Sequence, residues 1–220
     1  MEAGYMCAGC HTPFVSPFPL DEAGLCMICR QGLRGFDSAY SFGFYDGALQ
    51  RLIHLLKYEG VYTLAAPLSD YLVRALPRHQ PLDAIVPMPI HWRRRWHRGF
   101  NQAEMLARPL ARRAGLVLLC SAVARTRGTS PQAGLSDRER RLNVRGSFSV
   151  RKPELVRGRH LLLVDDVLTT GATASACGAA LKQAGAASVS VLSLARADRR
   201  FSLPELFAPA AKSVPSEGWS

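Results

Sequence analysis

Apolar positions along this chain follow two different periods. Leu161, Leu162, Leu163 and Val164 form an unbroken apolar run after His160 and before the acids Asp165 and Asp166, which is the pattern of a strand covered on both faces of a parallel sheet. Residues 160–165 are therefore a predicted core strand. Residues 83–87 and 116–120 read as shorter strands, and 188–194 as a last core strand. Residues 38–45 alternate aromatic and small side chains, which predicts a strand and suggests a hairpin leading into the main domain. Helical spacing fills the intervals. Leu49, Leu52, Ile53, Leu55 and Leu56 give an amphipathic helix over 46–57 that starts at an Asp46 cap. A second helix covers 64–76 and stops before Pro77, and a third covers 101–114 with Ala103, Leu106, Ala107, Leu110 and Ala111 on one face. Small residues predict another helix over 174–185.

Breakers divide the rest. Pro87, Met88 and Pro89 end a strand, because proline cannot continue a central ladder. Residues 125–143 are polar, rich in arginine and interrupted by Gly128, Pro131 and Gly134, so they predict a loop with a short helix from Ser136. Long loops in compact domains often serve as lids; a plain surface excursion is the other reading. After residue 200, Pro204, Pro209 and Pro215 interrupt a mixed sequence. The resulting division is a small module over 1–36, an α/β domain over 37–200 and a disordered tail over 201–220.

The predicted strand 160–165 leads directly into candidate chemistry. Residues 161–173 read LLLVDDVLTTGAT, and ligands of open α/β sheets bind beyond the carboxyl ends of the strands, where Asp165 and Asp166 fall. Thr169, Thr170, Gly171, Ala172 and Thr173 follow. Gly171 permits a tight turn, while the hydroxyls and free amides of a helix start suit a phosphate. The acids suit a hydroxylated sugar or its metal. A strand followed by a capped helix accounts for the apolar run and one threonine, but not for two acids beside the turn. A P-loop is excluded because no GxxxxGK[ST] occurs. A receiver domain would place its acids early, with most of the domain still to come.

This segment resembles the PRPP-binding signature of type I phosphoribosyltransferases. The resemblance implies that Asp165 and Asp166 contact ribose hydroxyls as the catalytic pair and that 169–173 hold the 5′-phosphate.

Four cysteines say something different about the N-terminus. Cys7, Cys10, Cys26 and Cys29 form two CxxC pairs with fifteen residues between them, within the range for a four-thiolate zinc site. Such a closed site is structural. A pair of disulfides is the alternative, though no signal segment begins the chain. His11 reads as a bystander, and Cys120 and Cys177 as core thiols. A Cys₄ ribbon ahead of a late PRPP motif resembles the ComF (ComFC, GntX-like) family. The resemblance extends through Lys57-Tyr58, residues 86–89, residues 98–103 and the segment from Arg125 through Gln132 to Arg138 and Asn143. It implies a link to DNA uptake in competent bacteria or to DNA utilisation, with a helicase as a possible partner.

Charge fits either of two partners. The net charge is +11, with 24 arginines and 4 lysines; PRPP needs a basic cleft and DNA a basic stripe. Arg93, Arg94 and Arg95 lie among Trp92, Trp96 and Phe100, an arrangement suited to single-stranded DNA. A solvated face or a pyrophosphate site accounts for the cluster equally well. Lys57 and Arg98, with Arg125 or Arg138, are candidates to stabilise a departing pyrophosphate, with Mg²⁺ bridging it to the ribose. His54, His91 and His97 are simply surface histidines, so no general base stands out. Both an enzyme that transfers phosphoribosyl to an unidentified acceptor and a non-catalytic PRPP sensor therefore remain open. No apolar stretch is long enough to span a bilayer, which with reduced thiols predicts a cytoplasmic protein without membrane insertion.

Overall fold

The computed structural model describes residues 5–9, 13–14, 20–30, 35–90, 99–126 and 146–197. The N-terminal module contains two short strands, β1 (Tyr5–Met6) and β2 (Pro13–Phe14), and one helical turn, α1 (Met27–Arg30). Pro13 pairs with Met6 in the antiparallel β1–β2 ladder. A two-residue ladder has edges where proline is tolerated.

The main domain follows in the order β3 (Ser38–Phe44), α2 (Gly47–Tyr58), α3 (Ala65–Arg74), β4 (Ala84–Pro87), α4 (Gln102–Ala114), β5 (Val117–Leu118), β6 (Val123–Arg125), β7 (Phe148–Val150), β8 (His160–Leu168), α5 (Ala172–Gln183) and β9 (Ser188–Arg196). Five strands form a sheet in the order β3-β9-β8-β4-β5, with every neighbouring pair parallel. This is the expected α/β class. β3 is an edge strand of that sheet, parallel to β9, and not an arm of a hairpin. Its aromatic-small alternation suits a strand with one neighbour as well as it suits a hairpin. β6 and β7 make a separate antiparallel pair. Three residues are too few to show a period, so this pair was not legible between Leu118 and the motif strand.

Two cores sandwich the sheet. Ile53 and Leu56 of α2, Leu68 and Leu72 of α3, and Leu106 and Leu110 of α4 pack with Ile85, Leu162, Val164 and Leu192 on one face. Ala174, Cys177 and Leu181 of α5 pack with Val86, Leu161, Leu163, Val189 and Val191 on the other, and Phe148, Cys7 and Cys26 join them there. The run from Leu161 to Val164 thus feeds both cores alternately, as a strand buried on both faces must.

α5 approaches the preceding chain at backbone distance. A Cβ on Gly35 would lie 1.6 Å from the carbonyl oxygen of Ser175, and one on Gly178 would lie 2.3 Å from the carbonyl oxygen of Gly35. The Gly35 amide donates to Ser175 Oγ at 3.1 Å. Close packing here needs glycine for space.

The acid pair and the cysteine cluster

β8 runs three residues beyond the predicted strand, so both acids lie inside it. The ladder with β4 ends at the pairing of Pro87 with Val164, reinforced by Met88 N–H donating to Val164 C=O at 2.8 Å. The ladder with β9 continues through Asp165, Val167 and Leu168. Beyond Val164, β8 therefore pairs on one side. The chain moves from β4 toward β5 and from β8 toward β9, in opposite directions across the sheet. The acids consequently occupy the topological switch point, where open α/β sheets form their crevice.

Alternation also inverts across the acids. Leu161 and Leu163 face the core shared with α5, and Leu162 and Val164 face the other. Past the acids Val167 packs on the second core and Leu168 on the first, so strict period two breaks at Asp165 and Asp166. Each carboxylate accepts the amide that follows it: Asp166 N–H to Asp165 Oδ1 at 2.9 Å, and Val167 N–H to Asp166 Oδ1 at 2.7 Å.

Lys57 reaches the pair from the last turn of α2. Its Nζ lies 3.0 Å from Asp166 Oδ1, with the two side chains 17% and 11% exposed. Burial works against the Lys57 charge, but Asp166, with lesser help from Asp165 and Tyr45, outweighs it and raises the lysine above its ordinary value. Asp165 behaves in the opposite sense. Burial and the neighbouring Asp166 push it up to about 7, against the opposing pull of Lys57, its own bond to the Asp166 amide and Arg125. Arg125 stands on β6, its guanidinium 5.5 Å from the centre of the Phe148 ring. Burial, with Asp165 adding to it, holds the Cys177 thiol protonated. Cys177 is thus a core thiol, and Cys120 is exposed, contrary to the expectation for it; β5 ends at Leu118, two residues short of it.

The turn after β8 leads straight into α5. Thr169 is exposed, Thr170 and Thr173 are half-buried, and Gly171 and Ala172 are buried. Gly171 has φ +73°, the left-handed region open to glycine. It precedes α5 without giving it a side-chain cap. Thr170 Oγ1 accepts the Ala172 amide at 3.4 Å, a long bond that leaves the first turn ready to take an anion. The charge and donors suit a phosphorylated sugar.

Asn101 holds the other rim. Its side chain accepts the Ala103 amide at 3.1 Å, capping α4, and donates to Met88 C=O at 3.1 Å. That tie fixes the chain after β4 beside the acids. The sequence showed Asn101 as a helix start but not this second bond. Tyr45 and the link from Met88 to Val164 carried no sequence signal at all.

At the N-terminus the sulfur atoms of Cys7, Cys26 and Cys29 lie within 4.8 Å of one another. A tetrahedral metal with bonds of ~2.3 Å to sulfur has sulfur–sulfur edges of ~3.8 Å, so these three fit such an ion after a small contraction. The Cys26 amide donates to Cys7 Sγ at 3.2 Å, tying the first knuckle to the second. Asp21 accepts the amides of Ala23 and Leu25 at 3.1 and 2.8 Å and shapes the second knuckle. Cys10 lies outside the described residues, as do His11, Arg93, Arg94, Arg95, Arg98, His91, His97, residues 127–145 with Arg138, and the tail 201–220. Among the described residues, no helix is long and apolar enough to cross a membrane.

A parallel α/β sheet with this strand order, an acid pair at its switch point and a cysteine module packed on one face defines a phosphoribosyltransferase-type protein with an N-terminal cysteine cluster suited to a small zinc site. The Phosphoribosyl transferase domain family matches residues 100–205. Proteins named DNA utilization protein YhgH, from Escherichia coli, are 37% identical over 177 residues, covering 78% of this chain and 77% of theirs. Competence protein F of Haemophilus influenzae is 34% identical over 180 residues, covering 78% of each. A solved glutamine phosphoribosylpyrophosphate amidotransferase from B. subtilis is similar at 20% identity and a TM-score of 0.42, over 60% of this chain and 26% of that one. The chain belongs to the ComF (ComFC, GntX-like) family.

Proposed function

We propose that this protein binds PRPP together with Mg²⁺ at the carboxyl end of β8 and serves DNA uptake or utilisation in the cytoplasm. One observation carries the reading: two carboxylates inside a strand at the switch point lead, without a break, into a glycine turn and an uncapped helix start. Asp165 and Asp166 hold the ribose 2′ and 3′ hydroxyls, and 169–173 take the 5′-phosphate through the first amides of α5. The donor set fits magnesium, which takes one or two carboxylates and completes its shell with substrate oxygens and water. Bound there, it would neutralise charge on the pyrophosphate. Lys57 and Arg125 act on the acids as positive charges, and Arg98 is a further candidate to stabilise the departing pyrophosphate. In a transfer, the bond from ribose C1 to pyrophosphate breaks and one from C1 to an acceptor nitrogen forms, the pyrophosphate leaving with the electron pair. Zinc in Cys7, Cys10, Cys26 and Cys29 is structural. The names of the relatives support the DNA setting, and Arg93, Arg94 and Arg95 are the residues for single-stranded DNA, with a DNA-uptake helicase as the protein partner. The small module over 1–36 and the domain over 37–200 divide the work accordingly.

A non-catalytic PRPP sensor is the second reading. It is favoured because, among the described residues, no histidine reaches the acids: His54 faces Glu59 at 3.5 Å, His79 bonds to Tyr40 and His160 to Ser188. Incubating the protein with PRPP, Mg²⁺ and a panel of bases and nucleic acids, and measuring pyrophosphate release, separates the two. Acceptor-dependent release that Asp165→Asn abolishes supports the enzyme, and binding without release supports the sensor. If PRPP does not bind, both fall.

A further inference from the structure

We propose that Lys57 is the resident cation of the acid pair, excluding a free divalent ion so that metal enters together with its anionic sugar-phosphate ligand. The inference rests on the reading of Asp165 and Asp166 as the ribose and metal grip. It is carried by the placement of the lysine. The ammonium is 3.0 Å from Asp166 Oδ1 and both side chains are largely withdrawn from water. The helix that carries it is placed independently of that ion pair, because Ile53 and Leu56 of the same helix are fully buried against the sheet. The helix ends immediately beyond it, at Tyr58 with Glu59 as cap. Lys57 is therefore delivered to the acids by core packing.

The consequence follows from charge. Two carboxylates on adjacent residues would attract a cation strongly; with the ammonium already seated, one of the two negative charges is matched. A bare divalent ion has to settle a few ångströms from a fixed positive charge, or displace it and leave it buried without a partner. Repulsion at that distance, in a partly desolvated site, weakens free-metal binding by at least about tenfold. A metal that arrives on a pyrophosphate reverses the sign, because the complex carries net negative charge. The same ammonium then attracts the incoming ligand. Magnesium suits this order, since it dehydrates reluctantly and is commonly held by few carboxylates plus substrate phosphates.

The test uses the full chain with its cysteines supplied with zinc and Mn²⁺ as the probe, its free concentration read by electron paramagnetic resonance. Wild type and Lys57→Arg should take up manganese weakly without PRPP, and Lys57→Met at least about tenfold more tightly. Equal affinity in wild type and Lys57→Met overturns the inference, whatever PRPP does. If PRPP binds no form while Lys57→Met still gains manganese, the ligand reading falls and the role of Lys57 stands. Should Lys57→Met not fold, wild type decides: tight uptake of free manganese that Asp166→Asn removes overturns the proposal, and weak uptake that rises on adding PRPP upholds it.

Discussion

Cys7, Cys26 and Cys29 gather through short knuckles, with Cys26 and Cys29 three residues apart and Asp21 shaping the turn before them. Asp165 and Asp166 draw on distant parts of the chain: Lys57 from α2, Arg125 from β6, and the end of β4 through Met88. The cysteine cluster is drawn together mainly by local turns, although Cys7 and Cys26 also pack into the core beneath α5. The acid pair needs the whole sheet, because its charge state and open edge come from neighbours far away in sequence. A site of the first kind should fail by losing its ion. A site of the second kind should fail by losing any of several remote contacts.

Removing metal is the harshest way to test the contrast. Chelation, or Cys26→Ser, should unfold the N-terminal module, since structural zinc contributes on the order of 10 kcal/mol in small sites. Limited proteolysis should then cut within residues 1–36 first, and cutting that begins in the sheet would remove the distinction between the sites. Asp166→Asn comes next. It leaves the Lys57 ammonium buried without its partner, and denaturant unfolding should show a loss of about 3 kcal/mol; no change would mean that solvent screens the pair. Gly178→Ala places a methyl group against the Gly35 carbonyl and should cost about 2 kcal/mol through overpacking, lowering the thermal midpoint without altering the zinc content. Asn101→Ala should cost about 1 kcal/mol as a lost cap, and it should weaken PRPP binding as well if the tie to Met88 holds that rim.

A slope with pH tests the acid pair alone. Asp165 is pushed up to about 7, so the folded protein holds that proton better than the unfolded chain does. Its contribution is fully present below the ordinary carboxylate pKa and is lost as pH rises through about 7. Thermal midpoints from pH 5 to 8 should therefore show Asp165→Asn gaining on wild type toward pH 8. A constant gap across that range would show that the carboxyl is ionised throughout.

Much of the candidate site was legible in sequence because it is contiguous: the apolar run, the acids and the glycine turn occupy thirteen successive positions. The helices were legible within two residues or so at most ends, since their apolar faces recur over several turns. The β6–β7 pair was not, being three residues long on each side with residues 127–145 between its strands. The apolar run predicts a strand over 160–165 with the acids at its carboxyl end. The structure continues it to Leu168, where the end of β4 relieves the acids of a neighbour.

By itself the sequence determined what depends on neighbours along the chain: strand and helix periods, the two CxxC knuckles, and the succession of acids, threonines and glycine that resembles a PRPP motif. Tertiary structure decided what depends on neighbours in space. It set Lys57 on Asp166, ended β4 one residue short of Asp165, inverted the strand faces across the acids and pressed Gly35 against α5. The physical reason is range. Periodicity and turn chemistry are properties of a few successive residues, whereas burial, ion pairing and strand register arise only when segments distant in sequence are brought into contact.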